Sequence, residues 1–372
     1  MIQVFQPNIY LSDYFSVLKN LLKGNISGTS PVIYEFEEQF SKKFDRKYGI
    51  AVSNGSVALD IALQAINLEK DDEVIIPSLT IVSVLSAVLR TKARPIFVDV
   101  DINTWNTSFE MIKEKITNKT KAIVLVHTYG LSVDLKEVQE YCKEREIIII
   151  EDTAEAHGQQ YNEKYCGTFG DISTFSFYAN KHITTGEGGI LLTDNEDYYN
   201  ALIQMRNLDF DNTNRFLHQN MYWNYRMSGL QAALGISQLK NMEKTIKQKI
   251  NQGNNYLRLL ENYEDLLQLP LQQTSYSTNH YWVFGVVIKN STREKRDQIS
   301  LELKKLGIET RPFFWPLHKQ NFLNEEYKPD YLLENTDYLS SSGFYLPLGK
   351  QVTSKKQKFI VENLINTIKN VN

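Results

Sequence analysis

The sequence has too few cysteines for a disulfide scaffold and no apolar run long enough to cross a membrane. Its two cysteines, Cys142 and Cys166, fit no metal-binding spacing in 372 residues. We therefore expect no metal and two free thiols, as in proteins of a reducing compartment. The longest apolar stretch, Val74 to Leu89, contains Pro77 and several hydroxyl side chains and is too short to span a bilayer.

The sequence also lacks an excess of charge of either sign and a recognisable targeting segment. Its 41 Lys and Arg residues against 44 Asp and Glu leave a formal charge of −3, which gives no reason to expect nucleic acid or an anionic membrane as partner. The first residues, MIQVFQPNIYLSDY, have neither the basic start nor the apolar core of a signal peptide. We expect a cytoplasmic protein, in which a local cluster of positive charge could still bind an anionic substrate.

What the sequence does contain is a regular alternation of short apolar strands and helices. Continuous apolar runs, separated by helical patterns, predict an α/β fold with a mainly parallel sheet covered on both faces. After about residue 256, one strand at 280–289 and one helix at 293–307 indicate a smaller α+β part. We therefore predict a large domain over 1–255 and a small C-terminal domain over 256–372. The predicted strands of the large domain lie at 49–53, 73–78, 95–100, 121–127 and 146–152.

Polar residues follow several of these strands, at the edge where ligands bind in open parallel sheets. After the first strand, Ser53-Asn54-Gly55-Ser56 leads into a helix, whose free N–H groups and positive dipole end suit a phosphate. A simple helix cap with a tight turn explains the same residues. After the fifth strand, Asp152 is a carboxylate that can keep a heteroaromatic nitrogen protonated. A helix cap or a metal ligand would have the same sequence pattern.

Lys181 lies in the most informative segment, GDISTFSFYANKHITTGEGG. Phe175 and Phe177 precede it, which predicts a partly desolvated pocket, although most lysines are solvated surface charges. Desolvation lowers the pKa of a lysine amine and makes the amine nucleophilic, as a Schiff-base lysine requires. The hydroxyl of Ser176 could donate a hydrogen bond to a cofactor phosphate.

With these segments, the sequence resembles a known family. GDISTFSFYANKHITTGEGG and EDTAEAHG are similar to the lysine and aspartate motifs of nucleotide-sugar aminotransferases. These are enzymes of fold type I (aspartate-aminotransferase-like) that use pyridoxal 5′-phosphate (PLP). The resemblance covers nearly the whole chain and is strongest to perosamine-synthase-like enzymes, which aminate C-4 of a nucleotide-linked 4-keto-6-deoxy sugar. The other motifs in family order are SNGSVALDIAL, PSLT, FVDVD, HTYG, NYRMSGLQAALG and ETRPFFWPLH.

The resemblance implies a role for several residues. Lys181 matches the Schiff-base lysine, and Asp152 matches the acid that pairs with the pyridine nitrogen. Asn224 matches an asparagine that reaches the phosphate from the neighbouring subunit, which implies a homodimer with shared active sites. The other implied cofactor contacts are Gly55, Ser56 and Ser176 at the phosphate and Glu155 near the phenolic oxygen.

Two positions depart from the family pattern, and one segment is assigned to the substrate. Ile81 lies where the family usually has an aromatic residue stacked on the PLP ring, so that face would be aliphatic. His182 follows the lysine, where many relatives carry threonine or another residue, and receives no role. In RPFFWPLH, arginine suits bidentate recognition of a carboxylate or phosphate. We assign Arg311 and His318 to substrate binding; the alternative is a buried hydrophobic turn with two surface polar residues.

The function that the resemblance implies is transfer of an amino group from L-glutamate to the C-4 carbonyl of a nucleotide-linked keto sugar. The nucleotide is GDP, UDP or dTDP, and the product is a 4-amino-4,6-dideoxy sugar nucleotide. Amination at C-3 is the alternative within the family. The family's sugar dehydratases have histidine in place of the lysine, so Lys181 argues against that activity. The lysine, aspartate and phosphate positions together argue against a non-catalytic regulator.

Overall fold

The computed structural model describes residues 1–210 and 215–371. Its strands form one large sheet, one smaller sheet and two two-stranded pairs. The strands are β1 (Phe5–Gln6), β2 (Tyr48–Val52), β3 (Glu73–Pro77), β4 (Arg94–Val98), β5 (Thr120–Val126), β6 (Ile148–Asp152), β7 (Gln160–Tyr161), β8 (Lys164–Tyr165), β9 (Ile172–Ser176), β10 (Gly189–Thr193), β11 (Leu267–Gln268), β12 (Phe284–Ile288), β13 (Arg311–Pro312), β14 (Gly343–Leu346) and β15 (Leu348–Gly349).

The helices begin where side chains can satisfy the free N–H groups of their first turn. Asn54 Oδ1 accepts the Val57 N–H at 2.9 Å, and Ser228 forms a reciprocal capping box with Gln231, as the residue types predict. The α-helices are α1 (Leu11–Leu22), α2 (Pro31–Lys43), α3 (Gly55–Ala65), α4 (Val82–Arg90), α5 (Phe109–Lys113), α6 (Lys136–Glu144), α7 (Glu196–Arg206), α8 (Gly229–Lys240), α9 (Met242–Leu260), α10 (Arg293–Lys305), α11 (Glu334–Ser342) and α12 (Ser354–Val371).

The large sheet is mainly parallel, as predicted. Its strand order is β2-β10-β9-β6-β5-β3-β4. Strand β10 runs antiparallel to β2 and β9, and the pairs from β9 across to β4 are parallel. The carboxyl ends of β2, β9, β6, β5, β3 and β4 therefore meet at one edge of the sheet, and the loops that follow them converge there.

The central strands β3 and β5 are apolar on both faces because both faces of the sheet are covered. In β3, Val74 and Ile76 pack in a cluster with residues of α3 and α4, whereas Ile75 packs in a cluster with residues of α6. Each fully buried aliphatic side chain of this kind contributes about 1.5–3 kcal/mol. The continuous apolar runs in the sequence are explained by this double covering.

The smaller sheet lies after residue 256, where a C-terminal α+β part was predicted. Its order is β11-β12-β14-β13, with every pair antiparallel. Its core includes Ile299 of α10 and Ile360 of α12. Because α9 runs across residue 255 and β1 pairs with β15 near the end of the chain, the exact boundary between the domains 1–255 and 256–372 stays a prediction.

Both cysteines are buried and unbridged. Cys142 lies in α6, where burial raises the pKa of its thiol to about 12, so the thiol stays protonated at neutral pH. Helices α9 and α12 are the longest in the described parts of the chain, but neither these nor the shorter helices there combine the length and apolarity that a membrane span requires.

Candidate active site

A cavity of about 620 Å³ opens at the carboxyl edge of the large sheet. Its wall is formed by the start of α3, the ends of β6 and β9, the loop that carries Lys181, and aromatic residues from the C-terminal part. The structure thus brings together residues that are far apart in the chain. The predicted site residues that line this cavity are Gly55, Ser56, Asp152, Glu155, Ser176, Lys181 and Arg311.

The N-terminus of α3 presents backbone donors to the cavity. Asn54 caps the helix through the Val57 N–H, which leaves the N–H groups of Gly55 and Ser56 without an intrahelical partner. A Cβ on Gly55 would lie 2.6 Å from the Ser176 Cβ, so only glycine allows α3 to approach β9 this closely. Two free N–H groups beside a serine hydroxyl, at the positive end of the helix dipole, suit a phosphate.

Asp152 is the cavity carboxylate at the end of β6. Its Oδ1 accepts hydrogen bonds from the Ala154 N–H at 3.0 Å and the Thr174 hydroxyl at 3.3 Å. Burial raises the pKa of the Asp152 carboxyl, while the Ala154 N–H and the charge of Lys181 favour its ionised form. A buried carboxylate is stable only with a close cationic or hydrogen-bonding partner. A protonated ring nitrogen in the cavity would be such a partner.

The neighbouring carboxylate, Glu151, serves a different purpose, because successive residues of a strand face opposite sides of the sheet. Its two oxygens accept three backbone N–H groups of the loop 167–170 at 2.6–2.9 Å. His127 Nε2 lies 3.0 Å from Glu151 Oε1, and Cys166 Sγ completes a buried group of metal-ligand types. Since each Glu151 oxygen already accepts at least two hydrogen bonds, we infer that Glu151 holds this loop against β6.

Lys181 is partly buried in the cavity wall. Its Nζ lies 3.6 Å from the centre of the Trp282 ring. Burial lowers the pKa of the Lys181 amine, whereas the carboxylates of Glu155 and Asp152 act in the opposite direction. A lowered pKa increases the fraction of neutral amine, which is the nucleophilic form. Burial therefore favours the form of the amine that can attack a carbonyl.

Glu155 is a second buried carboxyl in the cavity wall. Its Oε2 accepts the Tyr129 N–H at 2.9 Å. Burial raises the pKa of Glu155 to about 7, although the charge of Lys181 and the Tyr129 N–H favour ionisation. The carboxyl can therefore hold or release a proton near neutral pH, which suits contact with an oxygen that also changes its protonation.

Two of the predicted site residues lie outside the cavity of their own chain. Asn224 is exposed and forms an isolated β-bridge with Asn207. His318 pairs through Nδ1 with the Ser78 hydroxyl at 2.7 Å, and its Nε2 lies 3.4 Å from the Asp337 carboxylate. The His318 ring therefore faces Ser78 and Asp337 and does not line the cavity, and its role in substrate binding stays a prediction.

The two departures from the family pattern have different surroundings. Ile81 lines the cavity and is 39 % exposed, so it presents an aliphatic surface there. His182 is 1 % exposed and does not line the cavity. Its Nε2 donates a hydrogen bond to the His280 carbonyl at 3.3 Å. His182 therefore belongs to the packing behind Lys181 and not to the cavity surface.

The aromatic wall of the cavity was not predicted from the sequence. Trp282 and Phe314 line it with nearly parallel rings, 16° apart at a centroid separation of 6.4 Å. The segment around Trp282 predicted only a strand, and no local pattern indicates that its indole meets Lys181. Phe175 and Phe177, from which a pocket was inferred, are fully buried in the core beneath the site.

These residues fit PLP group by group. The backbone donors of Gly55 and Ser56 with the Ser176 hydroxyl match a phosphate, Asp152 matches a basic ring nitrogen, and the Lys181 amine matches an aldehyde. One cavity contains all three features, and their chemistry is complementary to the three functional groups of the cofactor.

Solved structures with the same fold support this match. An aminotransferase from Psychrobacter cryohalolentis superimposes with a TM-score of 0.89 at 28% identity, covering 98% of each chain. A GDP-4-keto-6-deoxymannose-3-dehydratase solved with bound GDP-perosamine has a TM-score of 0.89 at 26% identity, covering 98% of this chain and 100% of that one. The Escherichia coli enzyme of that name, solved with bound hydrated PLP, has a TM-score of 0.86 at 26% identity over 98% and 99% of the two chains. The predicted fold class is confirmed.

Sequence comparison identifies the family. The GDP-perosamine synthase of Escherichia coli O157:H7 is 36% identical over 98% of this chain and 97% of its own length. A model of the DegT/DnrJ/EryC1/StrS aminotransferase family matches residues 12–365. Together with the structures that contain PLP, these matches confirm that the protein is a PLP-dependent aminotransferase. The chain belongs to the DegT/DnrJ/EryC1/StrS aminotransferase family.

Proposed function

We propose that this protein transfers the amino group of L-glutamate to the C-4 carbonyl of a GDP-linked 4-keto-6-deoxy sugar. The proposal depends on one observation, a cavity in which Lys181 lies with Asp152 and a phosphate cradle. The phosphate cradle consists of Gly55, Ser56 and Ser176. The chain that forms it matches a GDP-perosamine synthase over 98% of its length. The product is a 4-amino-4,6-dideoxy sugar nucleotide, and 2-oxoglutarate is released.

When bound, PLP supplies an aldehyde that reacts with amines and a ring that accepts the electrons left at a carbon that loses its proton. Lys181 Nζ takes the proton from the α-carbon of glutamate and later delivers a proton to the sugar carbon. Asp152 keeps the ring nitrogen protonated throughout, because a carboxylate beside it favours the cationic form. Glu155 lies with them in the cavity wall and is assigned to the phenolic oxygen.

We assign Arg311 to the substrate. Its guanidinium lies 5.1 Å from the centre of the Phe5 ring, and the residue lines the cavity with Trp282 and Phe314. A planar guanidinium suits a carboxylate or a phosphate, and flat aromatic rings suit the apolar face of a sugar. The reaction is assigned to the cytoplasm, where the two buried, unbridged cysteines stay reduced.

Three alternatives remain distinguishable by experiment. Amination at C-3 uses the same residues and differs in how the sugar lies against the aromatic wall. Dehydration is the named activity of two structural relatives, but Lys181 occupies the position where that branch has histidine. A non-catalytic regulator has no need for the lysine, the carboxylate and the phosphate cradle in one cavity.

A panel assay tests the function directly. The protein, with PLP and glutamate, is offered GDP-, UDP- and dTDP-linked 4-keto-6-deoxy sugars, and 2-oxoglutarate release is followed. We expect multiple turnovers with the GDP sugar and no more than a single turnover when no sugar is added, because the amino group then has no acceptor. NMR of the product locates the new amine at C-4 or C-3.

The outcomes of this assay separate the alternatives. A single turnover with glutamate, and no further turnover with any sugar in the panel, would reject a keto sugar as acceptor. Absence of even the single turnover would reject glutamate as donor. Loss of a sugar hydroxyl without incorporation of nitrogen would support dehydration.

We further propose that the active site is shared across a homodimer. Asn224 is exposed and lies outside the cavity of its own chain. A stripe of exposed apolar residues runs along α1, and more surround Asn224, which is typical of a surface covered by another protein. A second copy of this chain that covers α1 and brings Asn224 to its partner's phosphate cradle explains both features. The exposed residues are Leu11, Phe15, Leu18 and Leu22 on α1 and Leu217, Met221 and Trp223 near Asn224.

Complementation between two inactive subunits tests the shared site. Asn224→Ala should weaken PLP binding by about 1.5–3 kcal/mol, the value of a hydrogen bond to a charged group. In mixed dimers of Lys181→Ala and Asn224→Ala subunits, one site carries both lesions and the other carries neither. Random mixing makes half of the dimers hybrid, so about a quarter of wild-type activity should return at limiting PLP.

Each parent refolded alone is the control and should stay inactive at the same PLP concentration. Hybrid dimers are verified with two different affinity tags. Verified hybrids without recovered activity would show that Asn224 serves its own subunit.

A further inference from the structure

Lys249 is a buried lysine behind the active site. It lies on α9 and is 6 % exposed. A buried ammonium requires hydrogen-bond acceptors, because desolvation of a charge costs several kcal/mol. Among the described residues, its hydrogen-bond partners are two backbone carbonyl oxygens. The side chain therefore connects α9 to two other segments of the chain.

Both of these segments are in direct contact with Lys181. The Lys249 Nζ donates a hydrogen bond of 2.8 Å to the carbonyl of Trp282, whose indole lies over the Lys181 Nζ. A longer contact, 3.5 Å, reaches the carbonyl of Asn180, the residue immediately before Lys181. One buried cation thus links the aromatic ring over the catalytic amine to the backbone that carries this amine.

The backbone that presents Trp282 needs such support. Tyr281 has a φ of 49°, a left-handed conformation that costs a bulky residue of the order of 1 kcal/mol or more and persists only where its surroundings enforce it. Its ring packs against Gly253, where a Cβ would lie 2.4 Å away. Gly253 and Lys249 are four residues apart and share one face of α9. This face of α9 therefore accommodates the Tyr281 ring and, through Lys249, binds the carbonyl of the following residue, Trp282.

The other titratable groups near Lys249 do not supply a counter-charge. Burial and then the charge of Lys249 lower the pKa of His182. Burial, then the charge of Lys181 and then that of Lys249 lower the pKa of His157 to about 3, so both imidazoles stay neutral. His280, beyond His182, has its pKa lowered by burial to about 4. Burial, and then the charge of Lys181, lower the pKa of Lys249 to about 7. The carbonyl contacts are thus the favourable interactions of this amine, and they persist when it is neutral, because the amine still donates.

We propose that Lys249 is a positioning residue for Lys181, which holds the Trp282 ring and the Asn180 backbone so that the catalytic amine faces the cofactor. The proposal rests on the assignment of Lys181 as the reactive lysine. His182, which has no role at the cavity surface, forms part of the neutral packing around Lys249. A misplacement of about 1 Å in such a support can cost about 10²-fold in rate.

Attachment of PLP to Lys181 provides a test that does not depend on turnover. The Lys181 amine condenses with the PLP aldehyde and releases water, and borohydride then reduces the C=N bond and fixes the label. The rate of labelling after PLP is added to the full-length protein is measured by peptide mapping. We expect Lys249→Met to bind PLP but to label Lys181 about 100-fold more slowly. Lys249→Gln, which keeps an N–H donor, should restore the rate to within about tenfold of wild type.

A matched control is Lys247→Met, which removes an exposed lysine from the same helix and should label at the wild-type rate. In steady-state assays, Lys249→Met should lower kcat while the KM for glutamate changes less than threefold. Wild-type labelling by Lys249→Met would overturn the proposal. Equal losses in the Met and Gln variants, in proportion to a loss of folded protein by circular dichroism, would also overturn it. Labelling of the wild type without amination of any sugar would reject the proposed substrate and leave the role of Lys249 intact.

Discussion

Replacing Lys181 with alanine is expected to abolish transamination while the protein keeps its fold. In the proposed mechanism, the side chain supplies both the amine that reacts with the cofactor and the base that moves the proton, so its loss removes two contributions at once. A general acid–base group alone is worth about 10²–10⁴-fold in rate, and kcat should fall by at least that factor. Turnover of glutamate at saturating PLP measures the loss.

Two further variants complete this test: Lys181→Arg separates the charge from the proton transfer, and Lys164→Ala is the control. Arginine keeps the positive charge beside Trp282 but cannot lose its proton in proteins, so it should be as inactive as alanine. Lys164 is exposed, and its replacement should leave turnover unchanged. PLP should still bind to Lys181→Ala, because the donors of Gly55 and Ser56 are unaffected. Turnover at the wild-type rate in either Lys181 variant would refute the assignment of the reactive lysine.

Replacing Asp152 with asparagine should slow both half-reactions by about 10²–10³-fold, the usual loss when a preorganised electrostatic contact in an active site is removed. Asparagine retains an oxygen for the Ala154 N–H that Asp152 Oδ1 accepts, so the local fold should survive. The lost negative charge leaves the ring nitrogen unprotonated, and an unprotonated ring accepts electrons less well. Single-turnover rates with glutamate, followed by stopped-flow absorbance, isolate the effect.

The matched control for Asp152 is Asp134→Asn. Asp134 accepts the Tyr161 hydroxyl at 2.6 Å and does not line the cavity. Its replacement should leave the single-turnover rate within a factor of about two, because no reacting group lies beside it. If Asp152→Asn retained near-normal rates with glutamate, the electron-accepting role of the ring would not depend on this carboxylate.

Local patterns were enough to predict the strand ends. The runs that end near Val52, Pro77 and Asp152 were predicted as strands and form β2, β3 and β6. These strands are apolar because both faces of the sheet are buried, and a short stretch of sequence is enough to recognise that pattern. The position of Asp152 at a carboxyl edge follows from the same pattern, because parallel strands end on the same side of the sheet.

The contacts between distant segments could not be predicted in this way. Trp282, which lies over the Lys181 amine, follows Tyr281 in a left-handed conformation, and the strand predicted over 280–289 covers only Phe284–Ile288. His318 was assigned to the substrate with Arg311, yet its ring packs against Ser78. The side chains of neighbouring residues in a motif point in different directions, and the sequence alone does not specify these directions.

By itself, the sequence determined the α/β class and the parallel sheet, because both depend on residue type and local order; the reactive lysine and its carboxylate are predictions from the motifs that contain them. Only the tertiary structure decided which side chains surround that lysine. Lys249 and Trp282 act on it through a carbonyl and a ring, and such contacts depend on backbone geometry that many sequences can produce. A buried lysine of this kind leaves no periodic signal in the sequence, since its partners are carbonyl groups that every residue possesses.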